Sequence, residues 1–142
     1  MCSSNVGLPH SPAEWSISIV DDDLRVRKSL VNLLSAVGYT TASFASGDAF
    51  IQSLAANAPD CVLIDSRMDG MQGIDVQRHL QSTPAGPAIV CMSAFWNDAA
   101  TAEAYECGAH ACLSKPFSEE LLLSTLKEAI SARQSDVALP RS

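Results

Sequence analysis

Five side chains along the sequence could together bind a hard cation and handle a phosphate. Asp21 and Asp22 form an acidic pair, and Asp65, Ser93 and Lys115 follow at wide intervals. Carboxylates that share a partly desolvated cleft repel one another, so they favour a raised pKa on one of them or a bound cation. Mg²⁺ prefers oxygen ligands and often shares them with a substrate phosphate. With a lysine ammonium to hold a phosphate oxygen and a hydroxyl donor, the set is suited to phosphoryl transfer onto a carboxylate.

The pattern around these residues predicts an alternating α/β fold that would gather them. Short apolar runs at 16–20, 39–44, 61–64, 88–92 and 111–113 predict strands, and helical periodicity follows each, beginning near 24, 46, 74, 97 and 118. The first, third and fourth runs lack polar alternation, as expected when helices cover both faces of a sheet. Such a sheet is parallel and doubly wound, and its ligands lie beyond the carboxyl ends of the strands. Each of the five side chains follows its strand directly or within two residues.

Length and composition indicate one globular domain. The chain has 142 residues, of which 47% are hydrophobic and 18% charged. We expect a domain over residues 15–133, a loose N-terminal arm over 1–14, and a tail or the start of a linker over 134–142. The net charge of −7 argues against direct nucleic-acid binding, which depends on Lys and Arg. With no apolar stretch long enough to span a bilayer and no signal-peptide pattern, we expect a cytoplasmic protein without membrane contact.

The five cysteines are interpreted as reduced, structural thiols. Their number is odd, none are spaced C-x-x-C, and Cys61 and Cys91 lie within apolar runs. A zinc site formed by Cys107, His110 and Cys112 is a weaker alternative, because three ligands within six residues lack the usual paired spacing.

Each acidic or basic residue also has a simpler explanation when taken alone. Asp21 and Asp22, with Asp23, could start a helix, since acids favour the N-terminal turn. Asp65 could close a turn, and Lys115 could be a solvated loop residue. The ordered occurrence of the required side chains at four strand ends favours a common site.

Four sequence pieces together resemble the receiver domains of bacterial two-component response regulators. They are I-V-D-D at 19–22, L-I-D at 63–65 with M-x-G-M-x-G at 68–73, M-S-A at 92–94 and K-P-F at 115–117. The resemblance covers residues 16–133, and R-M at 67–68 is similar to FixJ-type receivers. It implies a flavodoxin-like (βα)5 fold with a five-stranded parallel sheet of strand order 2-1-3-4-5.

The resemblance also implies a role for each site residue. Asp65 corresponds to the phosphoacceptor, which takes its phosphoryl group from a sensor histidine kinase. The Mg²⁺ or Mn²⁺ ligands correspond to Asp22, Asp65, the backbone carbonyl of Arg67 and, through a water, Asp21. Ser93 and Lys115 correspond to the residues that contact the phosphoryl group, and Lys115–Pro116 to a cis peptide.

Such a domain catalyses only its own phosphorylation and dephosphorylation, so it is a signalling domain rather than an enzyme acting on other substrates. Phosphorylation would change the surface formed by helix 4, strand 5 and helix 5. The expected partners are the kinase and a downstream output domain or target protein, and that surface could also form a homodimer.

Three features depart from the family pattern. Asp69 replaces the usual proline, Cys112 replaces the usual switch aromatic, and the bulky pair Phe95–Trp96 follows the M-S-A motif. The pair either packs against the neighbouring helix, or borders the site and restricts water or docks a partner. Asp69 and Cys112 leave open a second hypothesis, a phosphorylation-independent interaction module on the same scaffold. An aspartate-nucleophile phosphohydrolase is disfavoured, because Arg67 stands where an acid/base aspartate would be needed.

Overall fold

The computed structural model describes residues 15–68, 70–83 and 86–138, with side chains through 133, so the predicted arm over 1–14 lies outside the described residues. Five strands alternate with five helices, and all strand pairs are parallel in the order β2-β1-β3-β4-β5, which confirms the predicted fold. The elements are β1 Ser16–Val20, α1 Leu24–Val37, β2 Thr40–Phe44, α2 Gly47–Ser53, β3 Cys61–Asp65, α3 Gly73–Gln81, β4 Ala88–Ser93, α4 Asp98–Glu106, β5 Ala111–Ser114 and α5 Glu119–Ala138.

Each face of the sheet carries its own apolar core. Because side chains alternate along a strand, Leu63 of β3 points toward α1 and α5, whereas its neighbour Ile64 points toward α2, α3 and α4. Leu126 of α5 fills the first core and Phe50 of α2 fills the second, and both side chains are fully buried. A side chain of this size contributes about 1.5–3 kcal/mol when it is buried, so the two cores fix the strands that lead to the site.

Capping residues define the helix ends that the sequence indicated. The Asp23 carboxylate accepts a hydrogen bond from the Arg25 amide (2.9 Å) and begins α1, so this acid serves the structural role considered for it. Asn97 caps α4 in the same way by accepting from the Ala100 amide at 2.7 Å. At the end of α1, Gly38 has φ 117°, a left-handed conformation that a side chain disfavours.

Several element boundaries differ from those predicted. β3 and β4 each extend one residue further, so Asp65 and Ser93 belong to the strands, because their backbone groups pair whatever the side chain is. Tyr39 precedes β2, since its amide donates to the Leu34 carbonyl of α1 rather than to a strand. The backbone of α5 continues to Ala138, five residues past 133, in a stretch without glycine or proline. Within the part of the chain described, no helix combines the length and apolar character needed to cross a bilayer.

Candidate functional site

Three carboxylates from the ends of β1 and β3 meet at one edge of the sheet. Asp21, Asp22 and Asp65 each offer an oxygen, and these oxygens all lie within 4.8 Å of one another. Asp21 is fully buried, Asp65 is buried and Asp22 is exposed to solvent, so the cluster opens on one side. In residues 15–68, 70–83 and 86–133 this is the one group of three acidic, histidine or cysteine side chains close enough to share an ion. The weaker alternative of a zinc site around Cys107 therefore lacks structural support.

Asp21 is held rigidly by its surroundings. Its two carboxylate oxygens accept hydrogen bonds from the Asp23 amide at 2.9 Å and from the Lys115 ammonium at 2.8 Å. Its backbone amide donates to the Phe44 carbonyl of β2, and its carbonyl accepts from the Arg27 guanidinium at 2.7 Å. Because Asp21 is completely buried as well as bonded through both oxygens, it is better placed to orient a neighbouring group than to react itself.

The Asp65 carboxylate lies between a backbone amide and the same lysine. One oxygen accepts from the Arg67 amide at 3.0 Å, and the other lies 3.3 Å from the Lys115 ammonium. Burial raises the pKa of Asp65 above its ordinary value, and the negative charge of Asp21 raises it further, although the Arg67 amide and Lys115 oppose both effects. The ionised form of Asp65 is thus costly in this cluster, and a cation beside it would relieve that cost.

Lys115 bridges the two buried carboxylates. Burial alone would lower the pKa of its ammonium, but the hydrogen bonds and charges of Asp21 and Asp65 outweigh burial and raise it, so the side chain stays charged. Its backbone amide donates to the Ser93 carbonyl at 2.8 Å, which ties the segment after β5 to the end of β4. The Lys115–Pro116 peptide is cis, as the resemblance implied.

Ser93 and the loop after it border the cluster. The Ser93 hydroxyl is buried and accepts a hydrogen bond from the Phe95 amide at 3.0 Å, so it is turned toward its own loop. Phe95 is 66% exposed, and the Arg67 guanidinium lies 5.1 Å from the centroid of its ring, within the range of a cation–π contact. This contact joins the loops after β3 and β4 beside the acidic cluster. Each residue stands two positions after the end of one of two neighbouring strands, which predicts that they lie near each other but does not predict the contact.

Trp96 and Cys112 lie on the side of the sheet that faces α2, α3 and α4. The Trp96 indole is half-buried against that core, and its N–H donates to the Leu113 carbonyl of β5 at 2.8 Å. Packing is thus the role that the structure gives Trp96, whereas Phe95 is the exposed member of the pair. Cys112 is half-buried beside the same core and is a free thiol. Asp69 lies outside the described residues.

Two residues that sequence analysis did not select shape the loop after Asp65. The Gln72 side-chain amide bonds both backbone groups of Met68 and closes the loop. Gly73 begins α3 so close to β3 that an added Cβ would lie 2.7 Å from the Asp65 carbonyl oxygen. The glycine spacing at 68–73 was the available signal, since a glycine that permits close approach is a common reason for such a motif.

Comparison with known proteins agrees with this geometry. The sequence model of the response regulator receiver domain matches residues 17–127. The chain is 33% identical over 125 residues to response regulator protein TodT of Pseudomonas putida, a match that covers 87% of this chain and 55% of TodT. The chain therefore spans about half the length of the curated relatives it matches.

Solved structures agree as well. The response regulator StyR is 31% identical, with a TM-score of 0.78 over 87% of this chain and 62% of that one. The BeF3-activated receiver domain of DrrB is 25% identical, with a TM-score of 0.74 over 82% of this chain and 97% of that one. The family match, these relatives and the acidic edge of a 2-1-3-4-5 sheet lead to one conclusion: the chain belongs to the receiver domain family of response regulators.

Proposed function

We propose that this receiver accepts a phosphoryl group on Asp65 from the phosphohistidine of a sensor histidine kinase, in a reaction that depends on Mg²⁺ or Mn²⁺. The observation that carries the proposal is the convergence of three carboxylates within 4.8 Å beside one ammonium that contacts two of them. In this arrangement one carboxylate can act as the nucleophile. The other two can hold a cation, and the lysine ammonium offsets negative charge.

The transfer balances without any further reactant. An Asp65 carboxylate oxygen attacks phosphorus, the P–N bond breaks, and its electron pair returns to the imidazole nitrogen. The Arg67 amide and Lys115 hold Asp65 in place for this attack, while Asp21 keeps Lys115 beside it. We propose that the domain catalyses only this step and the later loss of its own phosphoryl group, and is otherwise not an enzyme.

The donors present fit a hard divalent cation. Asp22 and Asp65 would bind it directly, Asp21 through a water, and Arg67 through its backbone carbonyl. When bound, the ion neutralises the charge that builds up between the carboxylates and the phosphoryl oxygens. The exposure of Asp22 leaves room for such a ligand to keep part of its water shell.

Phosphorylation would change the loop after β4. A phosphoryl group on Asp65 offers strong acceptor oxygens, so Ser93 turns its hydroxyl toward them and no longer accepts from the Phe95 amide. Lys115 moves its ammonium onto a phosphoryl oxygen, which loosens its contact with Asp21. Both changes favour a different arrangement of α4, β5 and α5, the surface we propose for an output domain, a target protein or a second copy of the chain.

We base the proposed partners of the domain on its sequence and on its relatives. The match covers only 55% of TodT, which supports an output domain as the downstream partner. The acidic net charge of −7 disfavours direct nucleic-acid contact by the receiver itself. We keep the cytoplasmic location expected from the sequence. The alternative of a phosphorylation-independent module rests on Asp69, which replaces the usual proline, and on Cys112. The small side chain of Cys112 stands in place of an aromatic beside the core that faces α4.

Calorimetric titration tests the proposal against that alternative. We expect wild type to bind one Mg²⁺ and then one BeF₃⁻, a phosphoryl analogue, whereas Asp22→Ala should bind Mg²⁺ about 100-fold more weakly or worse, because it loses a direct ligand. Asp48→Asn, an exposed acid on α2, is the control and should bind as wild type does. Failure of wild type to bind either ion would favour the module.

The contact between Arg67 and Phe95 predicts slow loss of the phosphoryl group. Phe95→Ala should hydrolyse its aspartyl phosphate about two- to fivefold faster, because an exposed cation–π contact stabilises by only ~0.5–1 kcal/mol and its loss opens the site to water. The decay is followed by intact mass after the phosphodonor has been removed. Leu121→Ala, which truncates an exposed apolar residue on α5, should decay at the wild-type rate. An unchanged or slower decay in Phe95→Ala would show that the ring does not shield the site.

A further inference from the structure

A buried polar side chain joins α3 to the far end of α4. Gln77 is only 2% exposed, and its side-chain nitrogen donates to the Ala104 carbonyl at 2.9 Å and to the Cys107 carbonyl at 3.2 Å. The bond to Ala104 is buried and the bond to Cys107 is partly buried, whereas the side chain that donates both has almost no contact with water. Losing these bonds would therefore leave the polar end of Gln77 buried without a partner. We call this pair of bonds the Gln77 clamp.

The clamp matters because α4 buries little side-chain surface of its own. Ala104 is the one buried residue of this helix, and alanine buries little apolar surface. Two exposed contacts lie beside the clamp: Arg78 pairs with Glu103 at 2.9 Å, and the Gln81 side chain donates to the Glu106 carbonyl at 3.3 Å. Exposed contacts of this kind contribute little, so among the contacts between α3 and this end of α4 the bonds of the buried Gln77 side chain are the strongest.

The opposite end of α3 rests against the site. Gly73, its first residue, packs so closely on the Asp65 peptide that no Cβ would fit between them. Gln77 follows one helical turn later, so α3 is a short rigid connection from the reactive carboxylate to the clamp. A second connection leads from the site to the N-terminal end of α4. The loop that begins at Ser93 continues to Asn97, the residue that caps α4.

From this arrangement we propose that Gln77 is a positioning residue that holds α4 in its unphosphorylated position, opposing the rearrangement that a phosphoryl group on Asp65 requires. The inference rests on the proposed function of Asp65. If Ser93 and its loop move toward the phosphoryl group, α4 is displaced at its N-terminal end while the clamp resists at the other. Weakening the clamp lowers the free energy needed for the change, and a ligand that favours the changed state then binds more tightly.

The test compares BeF₃⁻ affinity at saturating Mg²⁺ in wild type, Gln77→Met and Gln81→Met. Methionine keeps the length of the side chain but cannot donate a hydrogen bond. We expect Gln77→Met to bind BeF₃⁻ about three- to tenfold more tightly, the range expected when a buried hydrogen bond opposes the change, and Gln81→Met to match wild type. A clamp with only a structural role would lower stability toward urea and leave the affinity unchanged, and unchanged or weaker binding overturns the inference.

A measurement on wild type covers the case in which Gln77→Met does not fold. We expect the side-chain amide resonances of Gln77 to shift as BeF₃⁻ and Mg²⁺ saturate the protein, while those of exposed Gln52 on α2 stay in place. Resonances of Gln77 that stay fixed during saturable binding overturn the inference and leave the proposed function intact. Absence of binding to wild type overturns the proposed function and this inference with it.

Discussion

Asp65→Asn is expected to take up no phosphoryl group from acetyl phosphate and Mg²⁺ under conditions in which wild type takes up one per chain. An amide has nearly the same shape as a carboxylate, but its oxygen is a far weaker nucleophile, so the attack on phosphorus is lost while the surrounding contacts keep their space. Asp21 is not expected to take over, because its side chain is 0% exposed and out of reach of a phosphoryl donor, whereas that of Asp65 is 11% exposed. Intact-mass spectrometry measures the uptake directly.

Two controls make this result specific. Asp65→Asn should unfold at a temperature equal to or about 2–4 °C above that of wild type without Mg²⁺, because it removes one charge from a crowded acidic cluster whose burial raises the pKa of Asp65. Asp48→Asn should be phosphorylated at the wild-type rate. Equal phosphorylation of Asp65→Asn and wild type would mean that another residue is the acceptor.

Lys115→Met should have the largest effect on stability. The lysine is the cation that compensates Asp21, whose carboxylate is fully buried 2.8 Å away, and the lysine side chain is itself only 22% exposed. Removing one partner of a buried ion pair leaves an uncompensated charge, which typically costs about 3–5 kcal/mol. We therefore expect a loss of this order in urea unfolding with EDTA present. Lys127→Met, at an exposed position of α5, should lose little.

Mg²⁺ should restore much of the stability lost in Lys115→Met. A divalent ion among Asp21, Asp22 and Asp65 supplies positive charge where the ammonium was, so the variant should gain more stability from Mg²⁺ than wild type does. Its phosphorylation should remain slow even with Mg²⁺, because the ammonium that we propose to contact the phosphoryl oxygens is missing. A variant as stable as wild type in EDTA would contradict the assignment of Lys115 as the compensating cation.

The sequence was sufficient to predict the arrangement that depends on local signals and periodicity. Helix starts at Asp23, Ser46 and Asn97 follow from capping chemistry, and the apolar runs identify buried parallel strands. Since parallel strands end at one edge, the meeting of Asp21 and Asp65 followed from topology alone. The boundaries of β3 and β4 were wrong by one residue, because a polar side chain at a strand end does not prevent backbone pairing.

Contacts between side chains on separate loops and helices were beyond that reasoning. In the sequence, Gln77 is a polar residue within an amphipathic helix and could equally face solvent; its burial follows from how α4 packs on α3. The stacking of Arg67 on Phe95 depends on the paths of two loops, which no periodicity describes. Such contacts are set by tertiary packing.

The most direct test is the position of the ion itself. Crystals grown with Mn²⁺ and BeF₃⁻ should show one anomalous peak, bound by carboxylate oxygens of Asp22 and Asp65 and by the Arg67 carbonyl, with beryllium attached to Asp65. A structure in which the Asp22 and Asp65 side chains turn away from each other, with no ion between them, would contradict the account.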